Sequence, residues 1–497
     1  VKNYNKNNMQ RKLTFLFIVM LISAYILQAQ SWMQIGEDID GEAEGDRSGY
    51  SVNLNADGSI VAIGADLNDG ASDDAGHVRV YENNSGAWTQ IGSDIDGIDG
   101  GHYFGFTVSL NAGGSIVAIG AISNGISNNN GHVGIYQNNS GTWEQIGENI
   151  NGEADHNYFG SSISISDNGS IVAIGAPNNN NNGWEAGHVR VYENNSGTWT
   201  QIGADINGEA AGDQLGSSVS INADGSIVAI GAPKHNDKGQ VKVYENNSGI
   251  WMQIGGDIDG EDLNEGLGNS VSLSSDGLIL AIGATGNWND IGFVRVYENI
   301  SGTWTQIGTD INGEAANDYS GTSISLNSAG SVVAIGAAQN DGIGEKAGHV
   351  RVYQNNSGTW IQVGTDIDGE AAGDWSGYSV SLSADGSVVA IGAHNNDGNG
   401  SNTGHIRIFD SSPSNVEALF FKHFSIFPNP TKDIVNIKSN KNNIEKLSIS
   451  DITGKQILEK RLIQQKEIID LSNFKSGIYI VSIQTDRKIF KTKIVKR

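Results

Sequence analysis

Seven tryptophans, Trp32, Trp88, Trp143, Trp199, Trp251, Trp304 and Trp360, stand 56, 55, 56, 52, 53 and 56 residues apart, and each opens a W-x-Q-[IV]-G run. The fullest copy of the surrounding stretch, GHVRVYENNSGTWTQIG, spans Gly187 to Gly203. A period of this size marks an array of supersecondary units that bury their apolar faces against one another. It excludes a conventional single-core domain over that length.

Composition narrows the unit. The chain holds 67 glycines against 5 prolines and no cysteine. That suits short strands joined by tight turns, an all-β fold held by packing and topology without disulfides. Charge is uneven: residues 1–30 carry 4 basic and no acidic groups, 31–410 carry 10 against 48, and 411–497 carry 16 against 8. A middle segment that acidic repels phosphate backbones, so nucleic acid is not expected as a partner. Arg11 and Lys12 precede an apolar run from Leu13 to Leu27 and then Gln28-Ala29-Gln30. This reads as a secretory signal peptide over 1–30, too short to span a bilayer, with no stable transmembrane segment after its cleavage near Ala29.

Within 31–410 the fourth copy shows four strand-like runs, Ser217 to Ile221, Ser226 to Ala232, Gln240 to Glu245 and Ile250 to Gly255. Asp224-Gly225 supplies the positive φ of a tight hairpin between the first two, and Asn246-Asn247-Ser248-Gly249 turns the last two. The second run, as in Ile171-Val172-Ala173-Ile174, is apolar without alternation, the mark of a strand covered on both faces. Face-to-face stacking of four-stranded units leads to a β-propeller, with an open solenoid as the rival. The phase of the ends decides between them. The array opens on an orphan fourth strand, Trp32 to Gly36, and ends on three strands, Ser379 to Ser383, Ser387 to Ala393 and His405 to Phe409. Closing the ring pairs both edges and predicts a seven-bladed β-propeller whose N-terminal strand completes the last blade.

Phe159-Gly160 before a first strand, and Gly175-Ala176-Pro177 or Gly231-Ala232-Pro233 after a second, resemble the FG-GAP repeats of integrin-α-like propellers. The chain departs from that pattern: Ser48, Leu215, Leu267, Ser320 and Ser376 replace the Phe, and Asp66, Ile122, Thr285, Ala338 and His394 replace the Pro. The calcium loop of many such repeats is reduced here to Asp57-Gly58 or Asp224-Gly225, so the resemblance implies the fold without calcium at that hairpin.

After a linker over 411–423 the texture turns Lys-rich, and seven strand-like runs between Phe424 and Val495 predict a small Ig-like β-sandwich over 424–497. Pro428-Asn429-Pro430, the Asp451-Ile452-Thr453-Gly454-Lys455 turn, Gly477-Ile478-Tyr479 and the basic end with Lys491 and Lys493 resemble the type A C-terminal sorting domain of the type IX secretion system. The resemblance implies that 424–497 engages that machinery, that the chain is secreted or anchored at the outer-membrane surface, and that this domain is then removed.

Candidate chemistry falls on the face carrying the strand-two-to-three loops and the inter-blade connections. Asp38, Asp40, Glu42, Asp205, Glu209, Asp366, Asp368 and Glu370 cluster there. They are either oxygen ligands suited to Ca²⁺ or solvated turns that need no metal. No cofactor is required. Trp184, Trp288 and Trp375 lie outside the tryptophan register, and Trp375 shares its place before a first strand with Arg47, Tyr103, Tyr158, Gln214, Gly266 and Tyr319. Tyr103, Tyr158, Tyr319 and Trp375 are therefore expected near the channel mouth, and with Trp184 and Trp288 in second-to-third-strand loops they are expected as sugar-stacking platforms, or else as loop packing. His77, His132, His188, His349 and His405 begin third strands, where Gln240 and Phe293 also occur, and so read as structural. The expected function is a non-enzymatic binding or adhesion propeller for a glycan or surface protein. The alternatives are a polysaccharide hydrolase or lyase, with His102/Asp99 and His156/Asp155 as the nearest catalytic pairs, and a structural surface-layer component.

Overall fold

A computed structural model of the chain describes residues 32–123, 130–286, 291–411, 424–427, 430–439, 444–451, 455–464, 466–484 and 489–497. The expected signal peptide, Trp288, residues 412–423, Pro428, Asn429 and the Ile452–Gly454 turn lie outside the described residues. The chain divides into two compact units, 1–411 and 412–497.

The first unit is a ring of seven antiparallel sheets, numbered here by the order of their inner strands. In sheet four those strands are Ser218–Ile221, Ile227–Ala232, Gln240–Asn247, Ile250–Gln253 and Ile258–Asp259. The second strand is buried along its whole length, as its uninterrupted apolar run requires. One feature differs from the sequence expectation. Ile258–Asp259 belongs to the sheet and pairs with the same third strand as the tryptophan hairpin does. The fourth strand thus continues past Gly255, interrupted by a bulge, into what reads in sequence as a connection. Each bulge is stapled by its own side chains: Gln201 Nε2 donates to Asp205 Oδ1 at 2.8 Å, and Gln34 and Gln362 do the same to Asp38 and Asp366 at 2.6 Å.

Sheet seven draws its outer strands from the other end of the unit. Met33 pairs with Asp410, Gln34 with Phe409, Ile39 with Ile406 and Asp40 with His405. The ring therefore closes through its N-terminal strand.

Four sets of seven hydrogen bonds repeat this closure, three along the inner strands and their hairpins and one at the rim. At the axis, backbone N–H donates to backbone carbonyl from Ala56 to Ala112, on to Asp167, Ala223, Ser275, Ser328 and Ala384, and back to Ala56, at 2.7–3.1 Å. Next to it, Asn53, Ser109, Ser164, Ser220, Ser272, Ser325 and Ser381 each accept from an inner-strand N–H of the following sheet, at 2.8–3.1 Å. Further along the same strands, the hydroxyls of Ser51, Thr107, Ser162, Ser218, Ser270, Ser323 and Ser379 donate to glycine carbonyls of the next sheet at 2.7–2.8 Å. This bond explains the glycine of the GAP-like triplet: a Cβ on Gly175 would lie 2.1 Å from Gly216 O and 2.2 Å from Ser162 Oγ. At the rim, the seven tryptophan indoles donate to the carbonyls of Ile35, Ile91, Ile146, Ile202, Ile254, Ile307 and Val363 in the preceding sheet, at 2.8–3.0 Å. Between these sets the sheets share apolar clusters, such as Val172, Ile174 and Phe159 with Val133, Ile135 and half-buried Trp199.

The second unit holds seven strands in two sheets. Phe424–Phe427, Ile434–Ser439 and Lys466–Asp470 form one, and Gln456–Gln464, Ile444–Asp451, Gly477–Gln484 and Ile489–Lys496 form the other. Val435, Ile437, Leu447, Ile449, Ile469, Val481 and Ile483 fill the space between them. Tyr479 is buried with its hydroxyl donating to Lys475 O at 2.7 Å, Gly477 opens the strand before it, Pro430 and Lys493 are exposed, and Lys491 pairs in the last strand with Ser482.

Candidate functional site

The face opposite the tight hairpins carries the second-to-third-strand loops and the segments entering each inner strand. All seven entry positions are left-handed: Arg47, Tyr103, Tyr158, Gln214, Gly266, Tyr319 and Trp375 have φ between 51° and 65°. Glycine takes this conformation freely, whereas other residues pay about 1–3 kcal/mol for it. The turn is held from beneath. Asp374 Oδ2 accepts from the N–H groups of Glu370 and Ala371 and from Asn396, and Asp213 and Asp318 serve the same way in their sheets. Burial raises the carboxyl of Asp46, their counterpart in sheet one, against the lowering effect of its hydrogen bonds. These aspartates directly precede the entry residues, a fixed offset that is readable in the sequence and marks turn support instead of a ligand.

The structure places the expected platforms unequally. Tyr103, Tyr158, Tyr319 and Trp375 are half-buried, and Trp184 is 71% exposed on the sheet-three loop. Trp375 is no free platform. Its ring lies 5.7 Å from His394 and 6.3 Å from Tyr378; Tyr378 meets Tyr50 at 5.0 Å, and Tyr50 meets Phe106 at 5.0 Å. Arg47 lies over Tyr50 at 4.5 Å and 3.7 Å from Asp66. Burial outweighs that guanidinium and raises the Asp66 carboxyl to about 6, while burial, aided by Arg47, lowers His394 to about 3. Asp66 and His394 are two of the positions that depart from the GAP pattern, and both lie on this arc, which spans sheets seven, one and two.

On sheets four to six the mouth is open. A cavity with about 590 Å³ of space lies among Gln214, Ser217, Lys234, Asp237, Asn264, Gly266, Asn269, Thr285 and Tyr319. It exists because the positions that hold aromatics across the ring are small or polar here: Ser217 and Asn269 stand where Tyr50 and Tyr378 do, and Gly266 stands where Trp375 does. Amide and hydroxyl groups dominate the lining, and Tyr319 supplies one aromatic ring. Among the described residues, Tyr319 is the one expected platform that reaches this cavity.

Four of the carboxylates weighed as ligands, Glu42, Asp205, Glu209 and Glu370, are engaged by cations. Buried Arg79 reaches Glu42 at 3.3 Å, Lys242 pairs with Glu209, and Arg407 reaches Glu370 at 3.6 Å. Arg190 takes both oxygens of Asp205 at 2.8 Å. Asp40 and Asp368 are exposed, and their carbonyls accept from Arg79 and Arg407. The repeat supplies its own control: sheet two has Gly134 in place of the cation, and Ile98 stands in place of the glutamate. Cation and carboxylate disappear together, as partners in an ion pair between sheets would. Three groups, Asp38/Glu370/His405, Glu42/His77/Asp94 and Glu314/His349/Asp366, do bring ligand atoms within 4.8 Å of one another, each with an arginine at its glutamate.

Of the catalytic pairs weighed from sequence, His102 is buried against His132 at 5.4 Å and its pKa is lowered by burial despite Asp99, while His156 is exposed. The five third-strand histidines are buried; burial and Arg190 lower His188 to about 4 against the pull of Asp205.

Residues 365–409 match the FG-GAP repeat, and residues 425–497 match the secretion system C-terminal sorting domain. The chain carries a type IX export tail. That tail implies interaction with the type IX machinery and marks the protein as secreted or attached at the outer-membrane surface. Among the described residues no helix is long and apolar enough to cross a membrane. Among curated proteins nothing matches the chain. Of solved structures, a protein of Bacteroides uniformis provisionally assigned as a 6-phosphogluconolactonase is 12% identical over 67% of this chain and 88% of its own, with a TM-score of 0.48. A protein of Bacteroides fragilis with the same provisional assignment is 12% identical over 65% and 85%, with a TM-score of 0.45. Likeness at that level carries no activity to this chain.

Proposed function

We propose that this exported propeller is a binding protein that captures a neutral glycan, free or on a surface protein, in the cavity on sheets four to six. The observation that carries the reading is the cavity itself, about 590 Å³ in volume, with Tyr319 as a stacking face and Gln214, Asn264, Asn269 and Thr285 as hydrogen-bonding groups. A pocket of that size accommodates a small ligand, and paired amides and hydroxyls answer the hydroxyls of a pyranose. The acidic middle segment disfavours anionic polymers. We further propose that residues 424–497 are removed after export. Intact mass of the extracellular form would reveal this, and Arg497 retained on it would refute removal.

A catalytic reading has one observation in its favour, the Asp66 carboxyl raised to about 6 beside Arg47, Tyr50 and His394 on the opposite arc. A single experiment separates the readings: purified protein is incubated with a polysaccharide panel, and retention and new chain ends are both assayed. Retention without new ends is expected. New ends would favour catalysis, and neither would favour a purely structural surface component.

A further inference from the structure

We propose that the grooves between the outer strands of neighbouring sheets form a second, peripheral set of sugar-binding sites, the most complete at Trp199. There a cavity with about 530 Å³ of space lies between the bulged fourth strand of sheet two and the outer hairpin of sheet three, among Glu148, Asn149, Asn151, Tyr192 and Trp199. One repeat on, a cavity of about 300 Å³ is lined by Asp205, Asn207, Tyr244 and Trp251 at the same places in the unit. Recurrence at equivalent positions makes the groove a property of the repeat.

The aromatic wall is held in place before any ligand arrives. The Trp199 indole N–H donates to Ile146 O at 2.9 Å, and Gly147, with φ 75°, leaves room for the indole: a Cβ there would sit 3.3 Å from Trp199 Cδ1. Part of the ring packs on the core cluster of Val172 and Ile174, and part lines the groove. A ring fixed in this way loses little freedom on binding, which favours stacking on the apolar face of a pyranose.

The polar groups select among sugars and among grooves. Asn149 Oδ1 accepts from Gln145 at 2.5 Å, which leaves its amide nitrogen to donate, and Glu148 is an exposed carboxylate that accepts from hydroxyls. In the next groove Ala204 replaces Glu148, and Asp205 replaces Asn149 with its oxygens already engaged by Arg190 and Gln201. The Trp199 groove therefore binds more tightly, and Glu148 turns away uronic acids. Several such grooves on one ring would engage a polymer multivalently.

The test is calorimetric titration of the propeller-containing full chain with a soluble neutral β-glucan and with polygalacturonate, using wild type, Glu148→Ala/Asn151→Ala and the mouth variant Tyr319→Ala. The expected result is that Tyr319→Ala retains glucan binding at a reduced number of sites, and that Glu148→Ala/Asn151→Ala loses about tenfold or more in affinity of that residual class with an unchanged melting temperature. Polygalacturonate should not bind. Complete loss of binding in Tyr319→Ala, wild-type affinity in the groove variant, or equal binding of polygalacturonate would overturn the proposal. Because the mouth and groove variants are separate, failure of one site leaves the other legible.

Discussion

The two faces of the propeller are built from the same repeat and obey different rules. On the hairpin face every sheet makes the same bonds: an unbroken circle of backbone hydrogen bonds and, beside it, a circle of Ser or Asn acceptors. On the loop face the backbone stays uniform, with all seven entry residues left-handed, but the side chains mounted on it do not repeat. Aromatics crowd one arc and an open polar cavity occupies the other. Uniformity is what closing a ring demands, since one unmatched interface would leave an edge unpaired. Departure from it marks where the sequence answers to something besides closure.

If that division is right, damage to the uniform part should be global. Removing Trp32 to Gly36 takes away the outer strand of sheet seven and two of the seven indole bonds, the one Trp32 donates and the one Ile35 accepts from Trp88, and should abolish a single cooperative melt or drive the protein to oligomers. A monomeric deletion variant with unchanged melting, checked by light scattering and calorimetry, would break the comparison at its base. Trp199→Ala is milder. The ring is half-buried and donates one hydrogen bond, so the cost should fall toward the lower end of about 3–5 kcal/mol in chemical denaturation.

The buried histidines give a smaller, pH-dependent effect. His188 has its pKa lowered from 6.5 to about 4, so the unfolded chain binds more protons between those values and stability is lost as pH falls through that window. Gln240 fills the same position in sheet four and bonds Asp259 at 2.9 Å, which shows that glutamine fits there. His188→Gln should therefore melt about as wild type at pH 7 and lose less stability by pH 5, with a difference on the order of 1–2 kcal/mol. An identical pH profile would show that the His188 ring is not kept neutral by the fold.

The fold was legible in sequence because the repeat states it seven times. The tryptophan period, the Asp-Gly and Asn-Ser-Gly turns and the orphan first strand led to the closed ring. The split fourth strand was not read, since Asp-Ile-Asp-Gly looks like loop chemistry until the Gln201 to Asp205 staple shows it crossing a bulge. Nor was the pairing of Glu42 with Arg79 read, although the joint loss at Ile98 and Gly134 was there to be seen. The open cavity was hidden for a different reason. It is made by what is missing, at Ser217, Gly266 and Asn269, whereas the aromatic that stands out in the sequence is Trp375, which packs against Tyr378 and His394 of its own sheet.

The most direct measurement compares Tyr319→Ala/Asn269→Ala with Trp199→Ala for both melting temperature and retention on neutral polysaccharide at the mouth site. The mouth variant should melt within about 0.5 kcal/mol-equivalent of wild type, as surface substitutions do, and lose the mouth class of binding, whereas Trp199→Ala should lose stability. A mouth variant that binds as wild type, or that falls in stability as far as Trp199→Ala does, would contradict the claim that the irregular face is the one given over to a ligand.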